Sequence, residues 1–234
     1  MPTIAFISPK GGVGKTTAAT ILATQLARRA PVIMIDADPN QPVDSWAKLG
    51  NTPENLSVVT KVTQETILDQ IDEAATKAPF VIVDCEGTSS LTVAYAISAA
   101  DLVIVPTQGS QLDAKEAARA LSLVKKQERT TRRTILHAVL LTRTAVAVRS
   151  RSLAHVQSEL KKHGVRMFES ELNEREAFRA MFSFGGALET LDPAAVRNIE
   201  KAVANARTFT NEVLRLLREA AESAEAEGRG GQAA

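Results

Sequence analysis

The sequence predicts an α/β protein built as a mostly parallel sheet flanked by helices on both faces. Three observations predict it. Short runs rich in Val and Ile alternate with longer segments of helical period through the first two-thirds of the chain. Those runs show little polar alternation, as strands covered on both faces should. The connections are short, and no internal repeat or linker marks a second domain.

Residues 3–8 (TIAFIS) form the first apolar run, followed by a Gly-rich turn and a helix over 15–30. The run 32–36 (VIMID) leads to a helix over 41–49, and the run 56–60 to one over 64–77. Residues 80–84 (FVIVD) precede a helix over 90–99, and 102–106 (LVIVP) one over 112–129. A sixth run, 135–142, ends the series. Beyond Arg143 the pattern becomes more helical, over 148–163, 174–184 and a long segment from 193 to about 221. In that last segment Val196, Ile199, Val203, Ala206, Val213 and Leu217 keep helical spacing, and Asp192-Pro193 is a start signal. Residues 222–234 are mostly Ala, Glu, Gly and Gln with no apolar anchor, so one domain over 1–221 and a disordered tail are expected.

Composition excludes several function classes. The 234 residues are 44% hydrophobic and 24% charged, ample for a buried core. A single Cys rules out a disulfide framework and any cluster needing several thiolates, Fe–S included, and suits a reducing cytosol. No apolar run reaches the roughly eighteen residues of a membrane span, and the N-terminus lacks a secretory pattern. Aromatic residues, at 4%, argue against base stacking on single-stranded nucleic acid. The net charge of +1 hides an asymmetry, because residues 115–166 carry thirteen Lys/Arg against three Asp/Glu.

The strongest chemical signal is Lys10-Gly11-Gly12-Val13-Gly14-Lys15-Thr16-Thr17, between the first run and the first helix. A Gly-rich turn lets backbone N–H groups converge on phosphate oxygens, and the helix N-terminus adds its positive dipole end. Gly11, Gly12, Val13, Gly14 and Thr17 would form the cradle, Lys15 would reach the β- and γ-phosphates, and the Thr16 hydroxyl would ligate Mg²⁺. The common G-x-x-x-x-G-K-[ST] pattern fails at its first glycine, where Pro9 stands, and an extra lysine, Lys10, follows.

K-G-G-x-G-K-[ST] with that extra lysine resembles the deviant Walker A motif of ParA/MinD-type ATPases. The resemblance continues in residues 33–40 (IMIDADPN), in 81–84 (VIVD) with Gly87, and in 100–106 (ADLVIVP). Arg175 to Phe178, followed by a helix and Gly185, looks like the corresponding stretch of the small ParA-type partition proteins. It covers residues 3–217 and implies a P-loop NTPase fold with ATP and Mg²⁺ as cofactors. It also implies that Lys10 reaches across a dimer interface to the partner's phosphates, so that two protomers share two triphosphates.

The carboxylates fit on physical grounds too. Asp36 and Asp38 stand two residues apart at a strand end, where an extended backbone points both to one side. The resemblance assigns Asp36 to the magnesium hydration shell and Asp38 to positioning the attacking water; with Lys10 and Lys15, Asp38 completes the catalytic set. Asp84 ends an apolar run, the place for a carboxylate acting on Mg²⁺ through water. Gly87 would let a switch-loop N–H approach the γ-phosphate, although Glu86 stands where relatives often have proline. Cys85, His137, His155 and His163 lack partners at metal-ligand spacing and carry no chemistry.

The basic segment suits contact with DNA phosphates without sequence reading, and Arg149, Arg151, Lys161 and Lys162 are the candidates for it. The chain starts at its first strand, with no room for an N-terminal helix-turn-helix. ParA proteins bind nucleoid DNA as ATP dimers, so the resemblance implies a cytoplasmic, nucleoid-associated homodimer. Phosphoryl transfer is mostly positioning, and missing partner contacts cost about 10³–10⁵ in rate. A weak basal ATPase stimulated by a ParB-like or cargo adaptor protein follows. Val213, Leu214, Leu216 and Leu217 lead into Glu219, Glu222, Glu225 and Glu227, a poor composition for an anionic membrane surface. Three alternatives stay open: a MinD-like membrane-cycling ATPase, a P-loop metabolic enzyme resembling dethiobiotin synthetase in which Lys10 serves substrate chemistry within one subunit, and a DNA-binding accessory protein in which the nucleotide is structural and hydrolysis irrelevant.

Overall fold

The computed structural model describes residues 1–87, 90–146 and 151–230. Seven strands form one sheet: β1 (Thr3–Phe6), β2 (Val32–Ala37), β3 (Leu56–Val59), β4 (Phe80–Cys85), β5 (Leu102–Thr107), β6 (Leu136–Thr144) and β7 (Leu172–Asn173). Their order across the sheet is β3-β2-β4-β1-β5-β6-β7, and every pairing is parallel. Parallel neighbours need crossover connections, which the helices supply: α1 (Lys15–Ala27), α2 (Pro42–Ala47), α3 (Ile67–Lys77), α4 (Leu91–Ala99), α5 (Gln111–Thr131), α6 (Arg151–Lys162), α7 (Glu176–Phe184) and α8 (Ile199–Gly230).

The side-chain period of two divides each strand between two cores. Ile4, Phe6, Met34, Ile82, Leu102, Ile104 and Leu140 face a core shared with α1, α2, α7 and α8. Ala5, Ile7, Ile35, Val81, Val83, Val103, Val105 and Val139 face the opposite core, shared with α3 to α6. Both faces of the central strands are therefore dry, which is why their sequences read as unbroken Val/Ile runs.

Three expectations change. β7 was not foreseen; it is two residues long, and its pairing with β6 carries a register shift at Thr142/Thr144. The last helix begins at Ile199 rather than Pro193, because the Asp192 carboxylate accepts the Ala194 N–H in a turn and Asn198 takes a left-handed φ of 58°. That helix then continues to Gly230, through nine residues of the stretch expected to be disordered. Extending a formed helix through Ala and Glu is easy where nucleating a new one is not. Val213 and Leu216 of α8 are buried in the first core, with Leu214 and Leu217 packed against it. Among the described residues no helix is long and apolar enough to cross a membrane.

Candidate functional site

The turn joining β1 to α1 opens at the carboxyl end of the central strand, where open parallel sheets place their ligands. Gly12 and Gly14 have φ of 74° and 93°, left-handed values that favour glycine, and Gly14 is the N-cap of α1. No side chain caps that helix and no acid lies in its first turn, so its leading N–H groups are free for an anion. The turn is braced from behind: Thr142 Oγ1 donates to Val13 O at 2.6 Å, and Gln108 Nε2 to Gly12 O at 3.2 Å. Val13 is thereby buried as a brace, whereas Gly11, Gly12, Gly14, Lys15, Thr16 and Thr17 line a cleft of about 550 Å³. Asp38, Glu86 and Gly87 line the same cleft. A Cβ on Gly87 would stand 3.5 Å from Lys15 Nζ and 3.7 Å from Gly11 N, so the β4–α4 loop crosses directly over the glycine turn.

The sheet register sets Asp36 of β2 beside Asp84 of β4. Asp84 is fully buried, and among the described residues neither of its oxygens has a hydrogen-bond partner. Burial pushes its carboxyl up to about 7; the neighbouring Thr16 hydroxyl and Lys15 ammonium pull the other way, while Asp36 and Asp38 add repulsion. An unpartnered buried carboxylate beside a hydroxyl is unfavourable by itself and suits a hydrated divalent cation, so these residues fit Mg²⁺.

Asp36 and Asp38 both stand near enough to Asp84 to act on it, but their own contacts differ. Asp36 Oδ2 accepts the N–H groups of Val43 and Asp44, both at 2.9 Å, and so pins the start of α2. Burial raises its pKa, against those backbone donors. Asp38, half-buried past the end of β2, faces the cleft and accepts from the Asn40 backbone and side chain. Cys85 is buried and its thiol is pushed up by that burial, consistent with an inert packing role.

Lys10 does not line the phosphate cleft. Its Nζ reaches Asp113 Oδ1 at 2.5 Å, at the head of α5. There Asp113 and Ser110 form a capping box, each accepting the other's backbone N–H. Burial works to raise the Asp113 carboxyl, and Lys10 and Ser110 outweigh it, leaving it below the ordinary range.

A second cleft of about 270 Å³ adjoins the first and shares Gly14, Thr17 and Arg143 with it. Its far wall is Asn173 and Arg175 with Phe178 and Phe182 of α7. Arg143 sits at the β6 irregularity with a left-handed φ of 52°, which turns its side chain into both clefts. Sequence reasoning missed this chamber; the signal available was the stretch from Arg175 to Phe178, noted there only as a likeness.

Of the four candidate DNA contacts, Arg149 lies outside the described residues, and the Arg151 side chain does too. Lys161 and Lys162 are exposed at the end of α6, with Lys162 paired to Glu159 at 2.9 Å. Among the described residues no group of three His, Cys, Asp or Glu is placed to hold a metal.

The family model for VirC1 protein matches residues 1–226. Protein ParA of Rhizobium radiobacter is 38% identical over 221 residues, covering 94% of this chain and 99% of that one. Maintenance of carboxysome distribution protein A of Gloeobacter kilaueensis is 29% identical, over 74% of this chain and 77% of its own. Among solved structures, a plasmid partition protein from Borrelia burgdorferi bound to AMPPNP superposes with a TM-score of 0.69 at 19% identity, over 92% of this chain and 98% of that one.

Proposed function

Because the chain belongs to the VirC1 family, within the ParA/MinD-type P-loop ATPases, we propose that it dimerises on ATP, binds duplex DNA without sequence preference, and releases it after slow hydrolysis. Repeated cycling would segregate or position a cargo: a plasmid, a chromosome region or a protein assembly. The relatives support both kinds of cargo, one being named for plasmid partition and another for carboxysome distribution.

The residues divide the chemistry as follows. The free N–H groups of the glycine turn and the start of α1 hold phosphate oxygens, with Lys15 supplying positive charge. Thr16 and, through water, Asp84 and Asp36 hold Mg²⁺, which when bound neutralises charge on the phosphates. Asp38 faces the cleft and orients the attacking water. The chamber between Arg143 and Phe178 takes the nucleoside, with Arg143 spanning it and the phosphate cleft. Gly87, passing over Lys15, carries the state of the γ-phosphate into the β4–α4 loop.

The position of Lys10 carries the dimer reading. It stands at the rim outside its own phosphate cleft, where a second copy could receive it. Two leucines at helix starts on this end of the sheet, Leu91 of α4 and Leu112 of α5, are 56% and 69% exposed and suit an intermittent interface. Light scattering with ATP, ADP and no nucleotide tests it. A dimer with ATP alone, lost in Lys10→Ala, supports the reading; a monomer in every state, or a dimer indifferent to Lys10, contradicts it. A partner that completes the site would stimulate hydrolysis, as in other P-loop systems.

A further inference from the structure

We infer that the outer face of α5, rather than the end of α6, is the surface on which duplex DNA docks; this rests on the DNA-binding reading above. The inner side of α5 is buried through Asp113, Ala117, Ala120, Leu121 and Val124. Opposite it, Lys115, Arg119, Lys126 and Arg129 are all exposed. Their separations of four, seven and three residues confine them to a sector of about 80° around the helix. Ser122 fills the gap in the row, and no acid enters the sector.

The two acids of α5 downstream of Asp113 are turned aside. Glu116 lies about 60° outside the sector, paired with Arg119 at 2.7 Å, and Glu128 accepts the Ile135 N–H at 2.9 Å. Lys115, Lys126 and Arg129 have no ion pair among the described residues. Several other basic groups are engaged within the chain, although Lys125, Arg132 and Lys161 are exposed without an ion pair among the described residues. Arg133 donates to the carbonyls of Ser98 and Ala100, Lys162 holds Glu159, and Arg179 holds Glu174 and Glu176.

The row from Lys115 to Arg129 runs for about 21 Å, roughly six base-pair steps of a duplex. Regularly spaced cations match a repeating phosphate backbone, and the large apolar side chain exposed on this helix, Leu112, precedes the row by one turn. They offer nothing to stack on a base and no wedge to enter a bilayer. The row begins two residues after Asp113, the residue that holds Lys10. A dimer formed across the Lys10 rim would join two such rows in one particle and double the phosphates neutralised, which makes DNA affinity follow the nucleotide.

The test titrates a fluorescent random-sequence duplex with ATP-loaded protein across a series of salt concentrations. The proteins are wild type, Lys115→Ala/Lys126→Ala/Arg129→Ala, the charge-preserving Lys115→Arg/Lys126→Arg/Arg129→Lys, and Lys161→Ala/Lys162→Ala, with thermal unfolding confirming each fold. The alanine triple should lose more than about tenfold in affinity and flatten the log–log salt slope by about 5 if all six contacts of a dimer are lost. The charge-preserving triple should bind as wild type does. Wild-type affinity and slope in the alanine triple, or loss confined to the α6 pair, would overturn the inference. Loss in the alanine triple of binding to phosphatidylglycerol vesicles, with DNA binding intact, would overturn it in favour of a membrane. Wild type that binds no duplex in any nucleotide state would overturn the DNA reading itself.

Discussion

On the proposed dimer, Asp113→Asn should tighten ATP-dependent association. Lys10 must leave Asp113 before it can reach a partner's phosphates, so the ion pair opposes dimerisation. The Asp113 side chain is 2% exposed and that of Lys10 42%, which places the pair at the upper end of the range for partly solvated ion pairs, about 1 kcal/mol. A symmetric dimer breaks two of them, so the substitution should favour it by about 2 kcal/mol, a factor of about 30 in dissociation constant. Asn keeps the size of Asp and can still accept the Ser110 N–H, so the start of α5 should persist. Sedimentation with a non-hydrolysable ATP analogue measures the constant, and the gain should shrink as salt rises. An unchanged or weaker dimer would refute the reasoning, because Asp113 would then not be withholding Lys10.

Other outcomes follow from the same geometry. Asp84→Asn should raise the unfolding temperature of magnesium-free protein at pH 8 while abolishing magnesium-dependent hydrolysis. The folded pKa, about 7, lies above the ordinary value, so the native state loses stability as pH rises through it, and the asparagine variant should lose that dependence in thermal scans from pH 5 to 8. Phe209→Ala removes a fully buried ring packed edge-on to Phe168 at 5.5 Å and should cost about 3–5 kcal/mol, roughly 10–15 °C in unfolding temperature. Arg143→Ala should weaken ATP binding about tenfold by calorimetry with little change in unfolding temperature, since the side chain is exposed and spans the two clefts.

The glycine turn, the carboxyl-terminal position of Asp84 and six of the seven strands were legible because each is encoded within a few residues: glycines at a strand end, a Lys-Thr pair, unbroken Val/Ile runs. What was not legible comes from contacts distant in sequence. β7 exists only through its pairing with β6, and two residues carry no periodicity. The second cleft joins Arg143 to residues of β7 and α7, so no local window contains it. The capture of Lys10 by Asp113 spans 103 residues. The contacts of Asp36 were hidden as well, because the N–H groups that its Oδ2 accepts, those of Val43 and Asp44, lie beyond the strand at the start of α2. The late start of α8 depended on local detail that composition does not reveal, the Asp192 carboxylate accepting the Ala194 N–H and the left-handed Asn198.

The most direct test of the central claim is duplex binding by wild type and Lys10→Ala with ATP, ADP and no nucleotide, each at two salt concentrations. Tight, salt-sensitive binding with ATP alone, abolished by Lys10→Ala, is the expected result. Binding that ignores the nucleotide, or survives intact in Lys10→Ala, would contradict a cycle in which ATP-driven pairing of two copies makes the DNA-binding particle.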